Sequence, residues 1–361
     1  MSLRLVLGFI VAFLSSLVFT FLVKNFCQKH NFALQRPRPR DLHKEPVPRL
    51  GGVALFLAFA FSALIFFRPQ ELPLKSLLAL LLGAFLIVII MAVDDIFGLS
   101  AWVKLVSQFL VAMLPVLLGV HLDFIRIPFY KYLNLLEKRV SFHLAGFSLE
   151  VIVWSAVVIV LWLVLLMNAV NFLDGLDGLA TSICALAAFN ICLLSFSKIV
   201  GQKDVGFLSF LLTGAALGFL PLNWYKAKIF LGDSGSMFLG YMLGLLSVIA
   251  GSKMATLGLV LGLAILDALL VVTTRILTGK NPFTQPGQDH LHHRLIKAGF
   301  SVPEAVSIYL VLSGLIGIAA IFAKTNQKGI MFVFLAVTLA ALIYFLKNRK
   351  TRNHSKALEE N

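Results

Sequence analysis

Four short segments hold most of the side chains that could do polar chemistry. Asp94 and Asp95 are adjacent within Val93-Asp94-Asp95-Ile96-Phe97-Gly98. Neighbouring carboxylates repel and stay ionised readily only in water or beside a cation. They read either as a solvated helix end or as a pair for a metal, a base or a cation, and Lys104 beyond them either neutralises a phosphate or marks a membrane interface. Asn168, Asn171, Asp174 and Asp177 recur at three-residue intervals, which keeps neighbours on one side of a helix. Gly175 and Gly178 among them let backbone approach a ligand closely. Gly232-Asp233-Ser234-Gly235-Ser236 offers either a helix N-cap or backbone N–H groups for a phosphate. Asp289-His290-Leu291-His292-His293-Arg294 lacks the nearby cysteine that would favour zinc. It reads as a solvated loop or as a His/Arg cluster for phosphate oxygens, to which arginine binds bidentately. Hard oxygen ligands suit Mg²⁺ and its substrate phosphates. Phosphoryl transfer needs mainly positioning and charge neutralisation. These residues therefore suit the movement of a phosphoryl-linked group, and their apolar flanks suit a lipid acceptor.

The elements that must position them are membrane helices. Of the 361 residues, 59% are hydrophobic and 13% charged, against roughly 45–50% and about 25% in soluble globular proteins. Uncharged runs cover Leu5–Val23, Leu50–Phe67, Ser76–Val93, Val151–Leu173, Gly178–Ser197, Val205–Tyr225, Ser234–Ser252, Ala305–Ala323 and Gly329–Leu346. Leu105–Val120 and Met254–Thr274, the latter interrupted by Asp267, complete a set of about 11 spans. The expected fold is an all-α polytopic integral membrane protein, with residues 1–346 as one catalytic domain and 347–361 as a basic tail. A soluble enzyme, a coiled coil and a disordered chain are excluded, and continuous rather than alternating runs argue against a β-barrel. The net charge of +14 sits in the loops and follows the positive-inside rule rather than marking nucleic acid. The connection from Lys24 to Arg49 and the tail are the richest in cations. This places the N-terminus outside, the C-terminus in the cytoplasm and all four polar segments on the cytoplasmic face. The loop His121–Glu150, on the other side, reads as an exposed hairpin or a short interfacial helix. Cys27, Cys184 and Cys192 are too scattered for a disulfide frame or a zinc site and read as packing residues. Gly214 with Gly218, and Gly240 with Gly244, have the spacing of close helix packing.

These motifs resemble the polyprenyl-phosphate N-acetylhexosamine-1-phosphate transferases, the superfamily that includes MraY, WecA and TagO. The resemblance runs from about Arg36 to Leu295. It rests on Arg40-Asp-Leu-His43-Lys44-Glu-Pro46-Val-Pro48-Arg49-Leu-Gly51-Gly52, Asp94-Asp95 through Lys104, Asn168 to Gly178, Phe230 to Ser236, and His290 to Arg294. It implies transfer of a sugar-1-phosphate from a UDP-N-acetylhexosamine to undecaprenyl phosphate in the bacterial cytoplasmic membrane. The reaction would need Mg²⁺ (or Mn²⁺), release UMP and start a lipid-linked cell-envelope glycan such as teichoic acid or lipopolysaccharide. By motif match, Asp233 binds the metal with Asn171. Asp94 and Asp95 are the paired acids assigned to the lipid phosphate or to metal. Asn168, Asp174 and Asp177 form the nucleotide-contacting segment. His290, His292, His293, Arg294 and Lys104 hold phosphates or the sugar, and His43 and Lys44 flank the site. Leu291 interrupts the histidines, where the peptide-bearing sugar enzymes have a direct triplet. That resembles the WecA/TagO-like branch, which uses UDP-GlcNAc, with an MraY-like phospho-MurNAc-pentapeptide transferase as the alternative. The oligomeric state is open, a homodimer included.

Another class of protein also fits the composition. An ion-coupled secondary transporter would show intramembrane acids and paired broken helices. Only Asp267 lies clearly within a span, no inverted repeat or pair of broken helices is legible, and Asp267 is expected to pack against a polar partner inside the bundle. An intramembrane aspartyl protease would need glycine where Phe230 stands.

Overall fold

The computed structural model describes residues 3–35, 45–144, 147–198, 200–251, 253–279 and 290–359; the side chains of 142–149 and 347–359 are not described. In chain order, α1 (Leu3–Lys29) is followed by β1 (Leu34–Gln35), β2 (Val47–Pro48), α2 (Gly51–Phe66), α3 (Leu74–Phe97) and α4 (Ala101–Leu117). Next come β3 (Phe124–Ile125), β4 (Leu133–Asn134), β5 (Arg139–Leu144), β6 (Phe147–Ile152), α5 (Val153–Leu173), α6 (Leu179–Phe196) and α7 (Lys203–Asn223). The chain continues through α8 (Gly232–Ile249), α9 (Met254–Val260), α10 (Gly262–Leu277), α11 (Leu291–Lys297), α12 (Val302–Phe322) and α13 (Thr325–Glu359). The six strands form three antiparallel two-stranded hairpins. Two of them lie in the loop read from sequence as a hairpin or a short helix.

Every uncharged run becomes helix, so the protein is a polytopic all-α membrane protein. The expected count of about 11 spans is not reproduced. Among the described residues, 8 helices are long and apolar enough to cross a membrane, or up to 9 with a bent pair. α2 and α4 have only 16 and 17 residues, about 24–26 Å at 1.5 Å per residue, short of a core about 30 Å thick. The run Met254–Thr274 is not one straight helix. It breaks at Leu261 into α9 and α10, bent by 78°. Gly262 opens α10, and the Leu335 side chain of α13 occupies the space where a side chain on Gly262 would lie.

α8 is the central element, with 89% of its apolar segment buried, against 17% for α13. The paired glycines explain how the helices come so near. Gly214 and Gly218 of α7 abut the backbone of Phe9 and Phe13 in α1, and Gly240 and Gly244 of α8 abut Leu166, Met167 and Leu163 in α5. Apolar surface gains nothing by leaving lipid for protein, so association rests on such close packing. The three cysteines are buried and free, in keeping with their reading as packing residues.

Candidate active site

Helix ends build the site. α3 stops at Gly98, whose φ of +73° lets the chain turn back at little steric cost. The Gly98 amide donates to Asp94 O at 2.8 Å and the Leu99 amide to Asp94 Oδ1 at 2.6 Å. Ser100 then caps α4, accepting from the Val103 amide. This stop, turn and restart brings Lys104 back over the end of α3, where Nζ lies 2.6 Å from Asp94 Oδ2 and 2.6 Å from Asp233 Oδ2.

α8 delivers Asp233 from another direction. Two amides of its first turn face Asp95: Asp233 N donates to Oδ1 at 2.9 Å and Ser234 N to Oδ2 at 3.0 Å, and Ser234 Oγ adds a bond of 2.7 Å. Asp95 is thus the N-terminal cap of α8, supplied by α3. A carboxylate here satisfies orphan helix amides and complements the positive end of the helix dipole. α2 completes the frame. Gly51 N and Gly52 N donate to Phe230 O and Leu231 O at 3.1 and 3.0 Å, while Phe230 N donates to Pro48 O at 2.8 Å. A side chain on Gly52 would overlap the Gly235 backbone, so glycine permits the two helix starts to meet. Arg49, just before them, reaches Asp95 at 3.6 Å and Asp233 at 3.5 Å.

Three acids on two helices therefore meet two cations. The carboxylates of Asp94, Asp95 and Asp233 place oxygens within 4.8 Å of one another. Their donor set is hard oxygen, in a buried corner, which fits a small divalent cation that retains substrate phosphates as further ligands.

The other expected residues surround this corner in different ways. Asn171 Nδ2 donates to Ser236 Oγ at 3.0 Å, which places it against the first turn of α8. Asp174 follows the end of α5; burial and the facing Asp233 hold its carboxyl well above the usual carboxylate range. Asp177 Oδ2 accepts from the Ala227 amide at 3.0 Å and fastens the α5–α6 turn to the chain entering α8. Asn168 sits one turn deeper, where its Nδ2 donates to Gln108 Oε1 at 2.6 Å. Gln108 also reaches Met237 Sδ at 3.4 Å. This pair clasps α4 to α5 one turn beyond Lys104.

The histidines approach from α11. His290 Nδ1 lies 2.8 Å from Asp267 Oδ2, and the Leu291 amide donates to Asp267 Oδ1 at 2.9 Å. The acid within the broken span thus has its polar partner, and it anchors the start of α11. His290 stacks on Phe172, between Asn171 and Leu173, with ring centroids 5.4 Å apart. His292 packs against Gly175, beside Asp174. Its Nε2 is buried with no hydrogen-bond partner among the described residues. Burial and the neighbouring His293 and His290 hold this imidazole well below its ordinary value of 6.5. The ring of His293 lies 4.3 Å from that of His292, and Arg294 lies on the same short helix. His43, Lys44 and Asp289 lie outside the described residues.

Arg49 and Ser234 lie in motifs that carry the resemblance but have no role assigned from sequence, and Gln108 lies outside those residues. Arg49 looked like a span-flanking cation. The signal that could have found it is Gly51-Gly52 beside it, a pair that marks a close backbone approach.

Comparisons with known proteins give the family. A family model described as "Glycosyl transferase family 4" matches residues 77–251. A probable undecaprenyl-phosphate N-acetylglucosaminyl 1-phosphate transferase of Bacillus subtilis (strain 168) is 33% identical over 94% of this chain and 91% of its own length. A decaprenyl-phosphate N-acetylglucosaminephosphotransferase of Mycolicibacterium smegmatis is 32% identical over 86% of this chain and 80% of its own. A phospho-N-acetylmuramoyl-pentapeptide-transferase of Staphylococcus aureus (strain JH9) is 30% identical over 77% of this chain and 86% of its own. With similarity of this depth along nearly the whole length, the chain belongs to glycosyl transferase family 4, within the MraY/WecA/TagO superfamily of polyprenyl-phosphate sugar-phosphate transferases.

Proposed function

We propose that this protein transfers N-acetylglucosamine-1-phosphate from UDP-GlcNAc to undecaprenyl phosphate, releasing UMP, at the cytoplasmic face of the bacterial inner membrane. The observation that carries the reading is the junction of Asp94, Asp95 and Asp233 with Lys104 and Arg49 at a helix N-terminus. Support for the sugar comes from the two relatives named for N-acetylglucosamine phosphate transfer and from Leu291, which interrupts the histidines.

In this reading an oxygen of the lipid phosphate attacks the β-phosphorus of the nucleotide sugar. The bond to the α-phosphate breaks, UMP leaves with the electron pair, and a new pyrophosphate joins lipid to sugar. The attacking phosphate monoester is largely ionised near neutral pH, its second pKa being about 6, so the residues need not remove a proton first. Lys104 and Arg49 neutralise charge on the phosphates during attack and departure. Asp95 holds α8 in register, and Asp177 holds the α5–α6 turn against it. His290 and His292 border that turn and orient the sugar or its phosphates. Asp233, with Asp94 and the Asn171 carbonyl oxygen, would hold Mg²⁺, which would supply neutralisation of the phosphate charge.

The test is a product assay on purified protein with undecaprenyl phosphate, Mg²⁺ and a panel of UDP-sugars. UMP and lipid-linked GlcNAc-1-phosphate should appear in step from UDP-GlcNAc. Product from UDP-MurNAc-pentapeptide alone would reject the branch and keep the reaction. No product from any UDP-sugar, with folded protein and an active control enzyme, would reject both.

A further inference from the structure

The end of the bundle away from the acids has its own charge cluster. α8 carries Asp233 in its first turn and ends at Ile249, so Lys253 lies at the far end. α12 leads away from α11, which places the start of α13 at that end too. There Lys328 Nζ donates to Thr256 Oγ1 at 2.7 Å. Thr256 is in the first turn of α9, whose N-cap is Lys253. Asn326 Oδ1 accepts from the Phe129 amide at 2.9 Å, and Gly329 packs under Pro128. These contacts gather the loop of Arg126, the start of α13 and the start of α9 into one place.

Among the described residues the nearby carboxylates are engaged elsewhere. Asp123 faces His121 at 3.5 Å and Glu150 faces Arg139 at 3.1 Å. Asp204 is occupied by the amides of Gln70, Glu71 and Leu72. Among the described residues no ion pair reaches Arg126, Lys253 or Lys328. Burial and the neighbouring Arg126 hold Lys253 below the usual lysine value. Lys253 and Lys328 are partly buried and have no ion-pair partner among the described residues, which costs free energy, and an anion seated between them and the exposed Arg126 offsets that cost. On the same loop Phe129 and Tyr130 are each 72% exposed and Tyr132 61%. Exposed aromatic rings at the ends of apolar helices belong at headgroup depth, where the abundant anion is a lipid phosphate.

We propose that Arg126, Lys253 and Lys328 form a binding site for the phosphate of an anionic phospholipid headgroup, on the face opposite the acid cluster. The site is independent of the transfer reaction and does not use its residues.

The experiment measures lipid binding to the purified protein in neutral detergent by native mass spectrometry and by thermal unfolding. Phosphatidylglycerol, phosphatidylcholine and inorganic phosphate are compared on the wild type and on Lys253→Gln/Lys328→Gln. Phosphatidylglycerol should be retained and should raise the unfolding temperature more than phosphatidylcholine. The double variant should bind it about tenfold or more weakly, since each basic residue near a charged surface contributes a similar increment. Its unfolding temperature in phosphatidylcholine should match that of the wild type. Equal effects of the two lipids, or undiminished phosphatidylglycerol binding by the variant, would overturn the proposal. An equal shift from inorganic phosphate would overturn the lipid assignment. Should the double variant not fold, Arg126→Gln, altered on an exposed loop, reads the same selectivity.

Discussion

At the residue scale, Asp233 is the side chain that both cations share, with Lys104 at 2.6 Å and Arg49 at 3.5 Å. Asp233→Asn keeps the shape and the amide bond to Asp95 while removing the charge. Transfer should fall about a hundredfold or more, the scale of a lost charge-stabilising group, with little change in unfolding temperature. Near-normal turnover would show that the carboxylate has no part in the reaction. His292 makes a pH prediction. Its imidazole is neutral in the fold, with a value well below 6.5. The unfolded chain therefore binds a proton that the folded chain refuses, and stability falls as pH drops below about 6.5. Melting curves of wild type and His292→Gln between about pH 8 and pH 5 should show a shallower acid loss for the variant; parallel curves would contradict it. The acids and histidines were legible in sequence because charge next to an apolar run is costly and therefore conspicuous. Arg49 was not, because a cation at a span end is expected anyway. Which of two adjacent carboxylates caps a helix was not legible either. Asp94 and Asp95 differ only in the face of α3 they occupy, and that is settled by where α8 begins.

At the element scale, the site depends on helix ends held together by backbone. Gly52 lets α2 touch α8 at Gly235. A methyl group there must push the helices apart, and overpacking of this kind costs about 1–3 kcal/mol. Gly52→Ala should lower both the unfolding temperature and the rate, because Arg49 moves with α2. An unchanged rate would mean that this junction does not position the cation. Asp267 offers a second test. Its two oxygens hold His290 and the Leu291 amide, and Asp267→Ala leaves both buried partners unsatisfied at about 1.5–3 kcal/mol. A raised KM for the nucleotide sugar with the larger loss in stability is the expected pattern. An unchanged KM would show that α11 stays docked without this anchor. The existence of α2, α8 and α10 followed from hydropathy, whereas the polar α11 read as a loop or a His/Arg cluster. The break at Leu261 did not follow from hydropathy, since Gly258 and Gly262 sit in a run that satisfies a straight span equally well, and the bend depends on packing against Leu335.

At the scale of the whole molecule, eleven apolar runs became helix, yet among the described residues 8 helices, or up to 9 with the bent pair, have the length of a full span. Composition fixes which segments avoid water. How deep each one runs depends on neighbours, and the short α2 and α4 end where the acid cluster assembles. Enclosing α8 within the bundle while leaving α13 against lipid puts the Asp233 end of a central helix where a lipid phosphate and a water-borne nucleotide sugar could meet. The central claim is that phosphorus travels with the sugar. The most direct measurement uses UDP-GlcNAc radiolabelled at the β-phosphorus, undecaprenyl phosphate and purified protein. The account predicts that the label appears in the lipid fraction in step with UMP release, and that Asp233→Asn stops both. Label remaining with the nucleotide, as UDP, while sugar reaches the lipid would contradict it.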